Sequence, residues 1–504
     1  MGRTPSTARP ILLERDVDIP LRDGVRSRAD VWRPADGAAG PAILVRTPYG
    51  REDAVPTGQI DPRLAADRGY AVVAQDVRGR GGSDGDFEPY VAEADDGHDS
   101  VEWVAAQPWC DGRVVMAGMS YVGLTQWLAA SAAPPSLVAI APALSSDTAG
   151  EGWSFCNGVL ERGFLSSWVV SGLAPPEQQW LDRIDDVLAD PQLAVTLAPW
   201  SKHWFTEPAA APYWQARSVD PSGPAHAVPK LSIGGWYDIF LAATLRAHAR
   251  GRNPWDRLIL GPWGHDRELS HLVGDRNLGG AGPGEVFGVA RRTLDFYDAV
   301  LAGGEPDLPP VSAYVLGADR WVALPSWPPP DARPCRLTLG SGVFTVVAEE
   351  PPPARGGRGL VSMVPGRGFG PRDQRPLADR GDVLALSLPA LDPGSVLAGP
   401  ATARLRVAPG VGGAGAGARD WVVTLCLQCP DGRWDNLTEG IARVAADRDE
   451  VVVPLGDVCV AAPAGARLIV LVAGASYPRW DQAGAPGPRV VREGSTVELT
   501  LADV

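Results

Sequence analysis

Two stretches of strand–helix alternation, separated by a segment of another kind, constrain this chain more than any other feature. Between residues 18 and 145, β-like runs at 31–32, 42–45, 70–74, 114–117 and 137–141 alternate with helical stretches at 93–107 and 121–131. Such alternation folds as a parallel sheet with crossover helices on its faces. The pattern breaks over 146–225, which shows no clear strand and carries Trp153, Trp168, Trp180, Trp200, Trp204 and Trp214. It resumes with a strand at 230–234, a helix at 239–249, a strand at 258–260 and a helix at 291–301, where Leu294, Tyr297 and Leu301 recur at helical spacing.

From about 306 the helical period is lost. Short β-like runs follow at 311–315, 343–347, 383–388, 403–407, 422–427, 450–454, 467–472 and 496–501, with turn-rich pieces between them. The expectation is α/β plus all-β: an α/β domain over 1–145 and 226–305, an inserted helical cap over 146–225, and a β-sandwich over 306–504.

Composition removes several classes of function. The 504 residues carry 60 acidic and 46 basic side chains, a net charge of −14, and phosphate backbones need a basic footprint. Nucleic acid is therefore not an expected partner. Of the 46 bases only Lys202 and Lys230 are lysines, and neither sits in a Gly-Lys-Ser/Thr loop, so a P-loop is excluded. No apolar run approaches the ~20 residues of a membrane span. None precedes Arg15 and Asp16 as a secretory signal would. Six cysteines are too sparse for a disulfide framework, and Cys426-Leu-Gln-Cys429 lacks a second pair at zinc spacing. A cytoplasmic protein with reduced thiols, no metal and no cofactor is expected. Gly410-Val411-Gly412-Gly413-Ala414-Gly415 fits a dinucleotide fingerprint only as a string, because more Gly/Ala and then a strand follow where a helix is required.

One constellation carries chemistry. The strand 114–117 runs into Gly118-Met119-Ser120-Tyr121-Val122-Gly123 and then into a helix. A serine on so sharp a turn has its hydroxyl forced outward, and the helix N-terminus offers backbone N–H groups to a developing oxyanion. Val122 occupies the second glycine position of the usual G-x-S-x-G elbow. A nucleophilic serine needs a base and an orienting carboxylate, in the chain order Ser, acid, His. Asp238 follows the strand at 230–234, and His265 follows the next strand. His271 is a rival base, and Asp256 and Asp266 are rival acids. Asp256 precedes its strand, at the wrong edge of the sheet, and Asp266 would have to fold back. His98 and His248 fall in helices, and His203 and His226 in or beside the insertion.

These residues, with Arg46-Thr47-Pro48-Tyr49-Gly50, Asp76-Val77-Arg78-Gly79-Arg80-Gly81, Gln107-Pro108-Trp109, Gly235-Trp236-Tyr237-Asp238 and Gly261-Pro262-Trp263-Gly264-His265, resemble the cocaine esterase group of α/β-hydrolases. That group also holds α-amino acid ester hydrolases, glutaryl-cephalosporin acylase-like enzymes and X-Pro dipeptidyl-peptidases. Arg380-Gly381-Asp382-Val383, Pro430-Asp431-Gly432 and Tyr477-Pro478-Arg479-Trp480 extend the likeness into a C-terminal jelly roll. His98 and Gln482 stand where the group tends to differ.

The resemblance implies Ser120 as nucleophile, His265 as base and Asp238 as orienter. It implies an oxyanion hole from the Tyr49 hydroxyl and the Tyr121 backbone N–H. The implied activity is hydrolysis of a small-molecule ester or amide through an acyl-enzyme. The same triad would serve an acyltransferase or cyclising enzyme, and a retired triad would leave a binding protein. The cap tryptophans suit an apolar or aromatic group, and Trp153, Trp168 and Phe240 are the candidate substrate contacts. An exposed jelly-roll face would suit a homodimer.

Overall fold

The computed structural model describes residues 9–54, 60–174, 183–266, 269–359, 368–392, 394–410, 417–480 and 483–504. Its largest unit is a ten-stranded sheet. The strands are β1 (Ile11–Pro20), β2 (Arg26–Pro34), β3 (Gly40–Thr47), β4 (Ala71–Asp76), β5 (Cys110–Met119), β6 (Leu137–Ala143), β7 (Leu231–Tyr237), β8 (Arg257–Gly264), β9 (Val311–Val315) and β10 (Arg320–Leu324). They lie in the order β1-β2-β4-β3-β5-β6-β7-β8-β9-β10. From β4 across to β9 every neighbouring pair is parallel. The outer pairings, of β2 with β1 and β4 and of β10 with β9, are antiparallel.

Parallel strands need crossovers that cover both faces, so they read as continuous apolar runs. β4, β7 and β8 are accordingly buried along their whole length. The helices that matter for the site are α1 (Glu93–Ala105), α2 (Tyr121–Ser131), α3 (Arg162–Trp168), α4 (Leu241–Ala249) and α5 (Val289–Leu301). In α5, Leu294 and Tyr297 lie in the core as their spacing predicts, and Leu301 is half-buried. The Tyr297 hydroxyl donates to the Met116 carbonyl at 2.6 Å, bracing β5 from below.

Residues 311–315, assigned from sequence to the β-rich part beginning at 306, form β9 and pair in parallel with β8, Leu258 against Val311. All five are buried, as an inner strand requires. Strand propensity reports a strand without reporting which sheet it joins, and β9 with β10 extends the large sheet.

The remaining C-terminal chain forms two four-stranded antiparallel sheets. One orders Arg333–Thr338, Thr496–Ala502, Val396–Arg406 and Glu450–Ala461; the other orders Val383–Ala390, Arg467–Ala473, Ala418–Gln428 and Trp434–Ala445. Leu397, Leu405 and Val453 from one and Val423, Leu425 and Val470 from the other fill a common core. That core continues into Trp236, Leu258 and Val311 of the large sheet, so the sandwich packs directly on its edge. The fold is an α/β-hydrolase followed by a β-sandwich. The Gly-rich segment 411–416 and Gln482 lie outside the described residues, and Ala418–Gln428, which follows the first, is a strand.

The inserted segment is built of short helices. Trp153, Trp168, Trp204 and Trp214 are buried within it, and Trp180 lies outside the described residues. It sits on the sandwich through buried ions. Arg479 pairs with Glu161, 3.3 Å away, and with Glu439, while Trp480 Nε1 donates to Glu161 at 2.9 Å. The Gly163 N–H donates to the Arg479 carbonyl at 3.0 Å. A Cβ on Gly163 would lie 2.7 Å from the Pro478 carbonyl oxygen, so only glycine permits this approach.

Candidate active site

Ser120 sits between the last residue of β5 and the first of α2 with φ 61° and ψ −127°. A non-glycine residue there is strained, and strain of this kind persists only where the surroundings impose it. Several contacts impose it. The Ser120 N–H donates to Ala143 O at 2.9 Å. Its carbonyl accepts from Gly123 N at 2.9 Å, Leu124 N at 3.0 Å and Ser145 Oγ at 2.8 Å.

The displaced glycine of this elbow has a steric cause. Val122 packs against the open face of Gly118, where a Cβ would come within 2.1 Å of Val122 Cγ1. Gly123 faces β6 instead, and a Cβ there would meet Ser145 Cβ at 2.6 Å. Position 123 therefore carries the close approach of helix to sheet, and position 122 is free to hold a side chain.

Asp238 and His265 follow the C-terminal ends of β7 and β8, on the same edge as Ser120, where open α/β sheets gather their sites. The three side chains form one hydrogen-bonded chain. His265 Nε2 is 2.9 Å from Ser120 Oγ, and His265 Nδ1 is 2.5 Å from Asp238 Oδ2. A carboxylate only accepts, so Nδ1 carries a proton and Nε2 is left to accept from the serine. Asp238 is fully buried, and its second oxygen accepts the Phe240 N–H at 2.8 Å.

The rivals fall elsewhere. Asp256 binds Lys230 Nζ at 2.6 Å, at the opposite edge of the sheet. Asp266 Oδ1 accepts the Ser270 N–H. His226 is buried 3.6 Å from Asp147, and half-exposed His203 stacks on Tyr213.

Tyr121 and Tyr49, expected from sequence at the oxyanion hole, are placed as follows. Tyr121 opens α2, and the first N–H groups of a helix have no partner inside it. Its side chain is fully buried: the hydroxyl donates to Glu93 Oε1 at 3.0 Å and accepts the Tyr90 N–H at 2.7 Å. Glu93 is itself buried, with Arg46 Nη1 3.0 Å from its other oxygen. Burial pushes the Glu93 carboxyl up, and the Arg46 charge opposes that. Arg46 lies three residues before Tyr49, so one buried network links the segment that carries Tyr49 to the first residue of α2. Tyr49 reaches the insertion, where its hydroxyl oxygen accepts the Trp168 indole N–H at 3.0 Å.

Trp153, Trp168 and Phe240 belong to one buried aromatic cluster. Phe240 meets His265 edge-on at 5.1 Å and stacks on Trp153 at 4.2 Å; Trp153 meets Trp168 at 5.4 Å. Sequence reasoning did not single out Ser145 or Glu93, nor give Arg46 and Arg80 a part. The signal for Arg46 was present: a charged residue directly closing the apolar strand 42–45.

The fold is that of the α/β-hydrolase class, and the relatives below place the chain among its serine hydrolases. Comparison with known proteins gives the family. Residues 23–267 match the X-Pro dipeptidyl-peptidase (S15 family) model, and residues 304–496 match the X-Pro dipeptidyl-peptidase C-terminal non-catalytic domain. Cocaine esterase of Rhodococcus sp. (strain MB1 Bresler) is 31% identical, over 95% of this chain and 93% of that protein. The chain belongs to the S15 family of serine hydrolases, in company with cocaine esterase.

Solved structures agree on the fold. An aminopeptidase from a marine sediment Thaumarchaeota archaeon superposes with TM-score 0.81 at 22% identity, covering 100% of this chain and 98% of that one. An α-amino acid ester hydrolase gives TM-score 0.74 at 21% identity, covering 100% and 98%. No helix among the described residues is long and apolar enough to cross a membrane.

Proposed function

We propose that the protein is an esterase that transfers the acyl group of a small-molecule ester to Ser120 and then to water. The observation that carries this reading is the chain Ser120 Oγ–His265 Nε2 at 2.9 Å and His265 Nδ1–Asp238 Oδ2 at 2.5 Å. His265 removes the serine proton as Ser120 attacks the carbonyl and returns it to the leaving alkoxide; Asp238 holds the ring and stabilises the imidazolium. Water then attacks the acyl-enzyme with His265 as base.

The Tyr121 N–H and the Tyr49 hydroxyl donate to the oxyanion in both steps. Each such donor contributes about 2.7–4 kcal/mol to the transition state. The insertion 146–225 acts as a cap, and Trp168, backed by the buried rings of Trp153 and Phe240, walls the acyl side of the site. The similarity to cocaine esterase and the aromatic walls together favour an ester with an aromatic or bulky apolar acyl group over an amide.

The test is steady-state turnover of aryl and alkyl acyl esters of one alcohol, with and without an added amine. Faster acylation by aromatic acids and an acid product unaffected by the amine are expected. Partition to the amide at millimolar amine would replace hydrolysis with acyl transfer.

A further inference from the structure

The Tyr49 phenol is held by the cap as well as by its own loop. An indole nitrogen is a donor only, so at 3.0 Å from Trp168 Nε1 the Tyr49 oxygen must accept. Its single proton is thereby turned toward another acceptor. A hydroxyl that accepts a hydrogen bond is polarised and donates more strongly.

The rest of the surroundings hold this pair in place. Trp168 is stacked with Phe164 at 5.4 Å and with Trp204 at 5.3 Å and is buried, which holds its indole edge in direction. Trp168 ends α3, and the chain continues as a π-turn, Val169–Leu173. Single π-turns in helices are frequent at functional sites. Gly172 in that turn lies against both partners: a Cβ would be 3.0 Å from Trp168 Cδ1 and 3.4 Å from Tyr49 Cε1. Arg80 closes the arrangement. Its Nε donates to the Pro48 carbonyl and its Nη1 to the Leu173 carbonyl, each at 2.7 Å, tying the residue before Tyr49 to the end of the π-turn.

We propose that Trp168 is a positioning residue for Tyr49, so that the oxyanion hole is completed by the cap through the Trp168 N–H to Tyr49 Oη hydrogen bond. This rests on the oxyanion assignment of Tyr49 made above. It moves Trp168 from a wall of the pocket to a part of the acyl-transfer machinery. It also makes the seating of the cap a condition for catalysis.

The experiment is a double-mutant cycle on kcat and KM with one activated ester, using Trp168→Phe, Tyr49→Phe and the double variant, each checked for cooperative thermal unfolding. Phenylalanine keeps an aromatic ring and removes the N–H. Trp168→Phe is expected to lower kcat roughly tenfold, the worth of one hydrogen bond, with KM within about threefold. In the Tyr49→Phe background the same change should alter kcat less than about twofold, because the atom it acts through is gone. Equal losses in both backgrounds, or a loss confined to KM, would overturn the inference and leave the oxyanion assignment standing. An undiminished kcat in Tyr49→Phe alone would overturn both. Should Trp168→Phe fail to fold, Gly172→Ala serves in its place. Its added methyl parts the pair by a few tenths of an ångström, and a severalfold loss of kcat that disappears in Tyr49→Phe is expected; a loss that persists there would overturn the inference.

Discussion

Replacing Gly118 by alanine tests the physical account of the elbow. A Cβ at position 118 would sit 2.1 Å from Val122 Cγ1 and 2.8 Å from Val122 Cβ. Unstrained carbon pairs lie at about 3.5–4.0 Å, so the two positions must part by more than about 1 Å. The backbone offers no relief, since Gly118 is at φ 140°, a region costly to residues with a Cβ by about 1–3 kcal/mol. Overpacking adds a further ~1–3 kcal/mol. The total of about 2–6 kcal/mol is a large part of the ~5–15 kcal/mol that holds a typical domain together.

Ser120 lies between the two clashing positions. A displacement of 1 Å in a reacting group costs on the order of 10²-fold in rate. Urea unfolding and kcat/KM on an activated ester should therefore fall together in Gly118→Ala. Adding Val122→Gly removes both carbon contacts and restores a glycine two residues after the serine. The double variant should recover about 1–3 kcal/mol and part of the rate relative to Gly118→Ala. Wild-type stability and rate in Gly118→Ala, or no relief from Val122→Gly, would refute the reasoning.

Three further outcomes are expected. Asp238→Asn, which keeps the Phe240 N–H contact but favours the wrong His265 tautomer, should lower kcat by about 10⁴-fold with little change in unfolding midpoint; a fall below tenfold would remove Asp238 from the triad. Arg479→Met strands the buried carboxylates of Glu161 and Glu439 and should destabilise by about 3–5 kcal/mol in denaturant titration at neutral pH, a loss that shrinks in acid as the carboxyls protonate; a pH-independent loss would mean packing rather than charge. His248 is held down to about 4 by burial, with Nδ1 buried and unpartnered, so the unfolded chain takes up its proton first as pH falls through about 6.5. Its contribution is complete above that pH and declines toward pH 4, by about 3 kcal/mol at most. His248→Leu should flatten the stability profile over that window, and an unchanged slope would contradict the assignment.

The parts legible in the sequence are those where local chemistry and global fold agree. Buried parallel strands announce themselves as apolar runs, and the strand–turn–helix around Ser120 needs only a few residues to be recognised. Ser120, Asp238 and His265 could be aligned because each closes a strand on one edge of the sheet. What stayed hidden is long-range or polar. Trp434–Ala445 is the edge strand of its sheet, yet it is buried on both faces from Asp435 to Ala442, and Asp435, Asn436, Thr438 and Glu439 break the apolar pattern there. β9 looks like any sandwich strand until its parallel pairing with β8 is seen. No spacing rule brings Trp168 to Tyr49 across 119 residues, or Arg479 to Glu161 across 318.

The most direct measurement of the central claim is intact mass after incubation with a small fluorophosphonate, on the wild type and Ser120→Ala in parallel, with the adduct mapped by peptide digestion. One adduct on the wild type, located at Ser120, and none on the variant is the predicted result. An adduct of equal yield on Ser120→Ala, or none on the folded wild type, would contradict the assignment of Ser120 as the activated nucleophile.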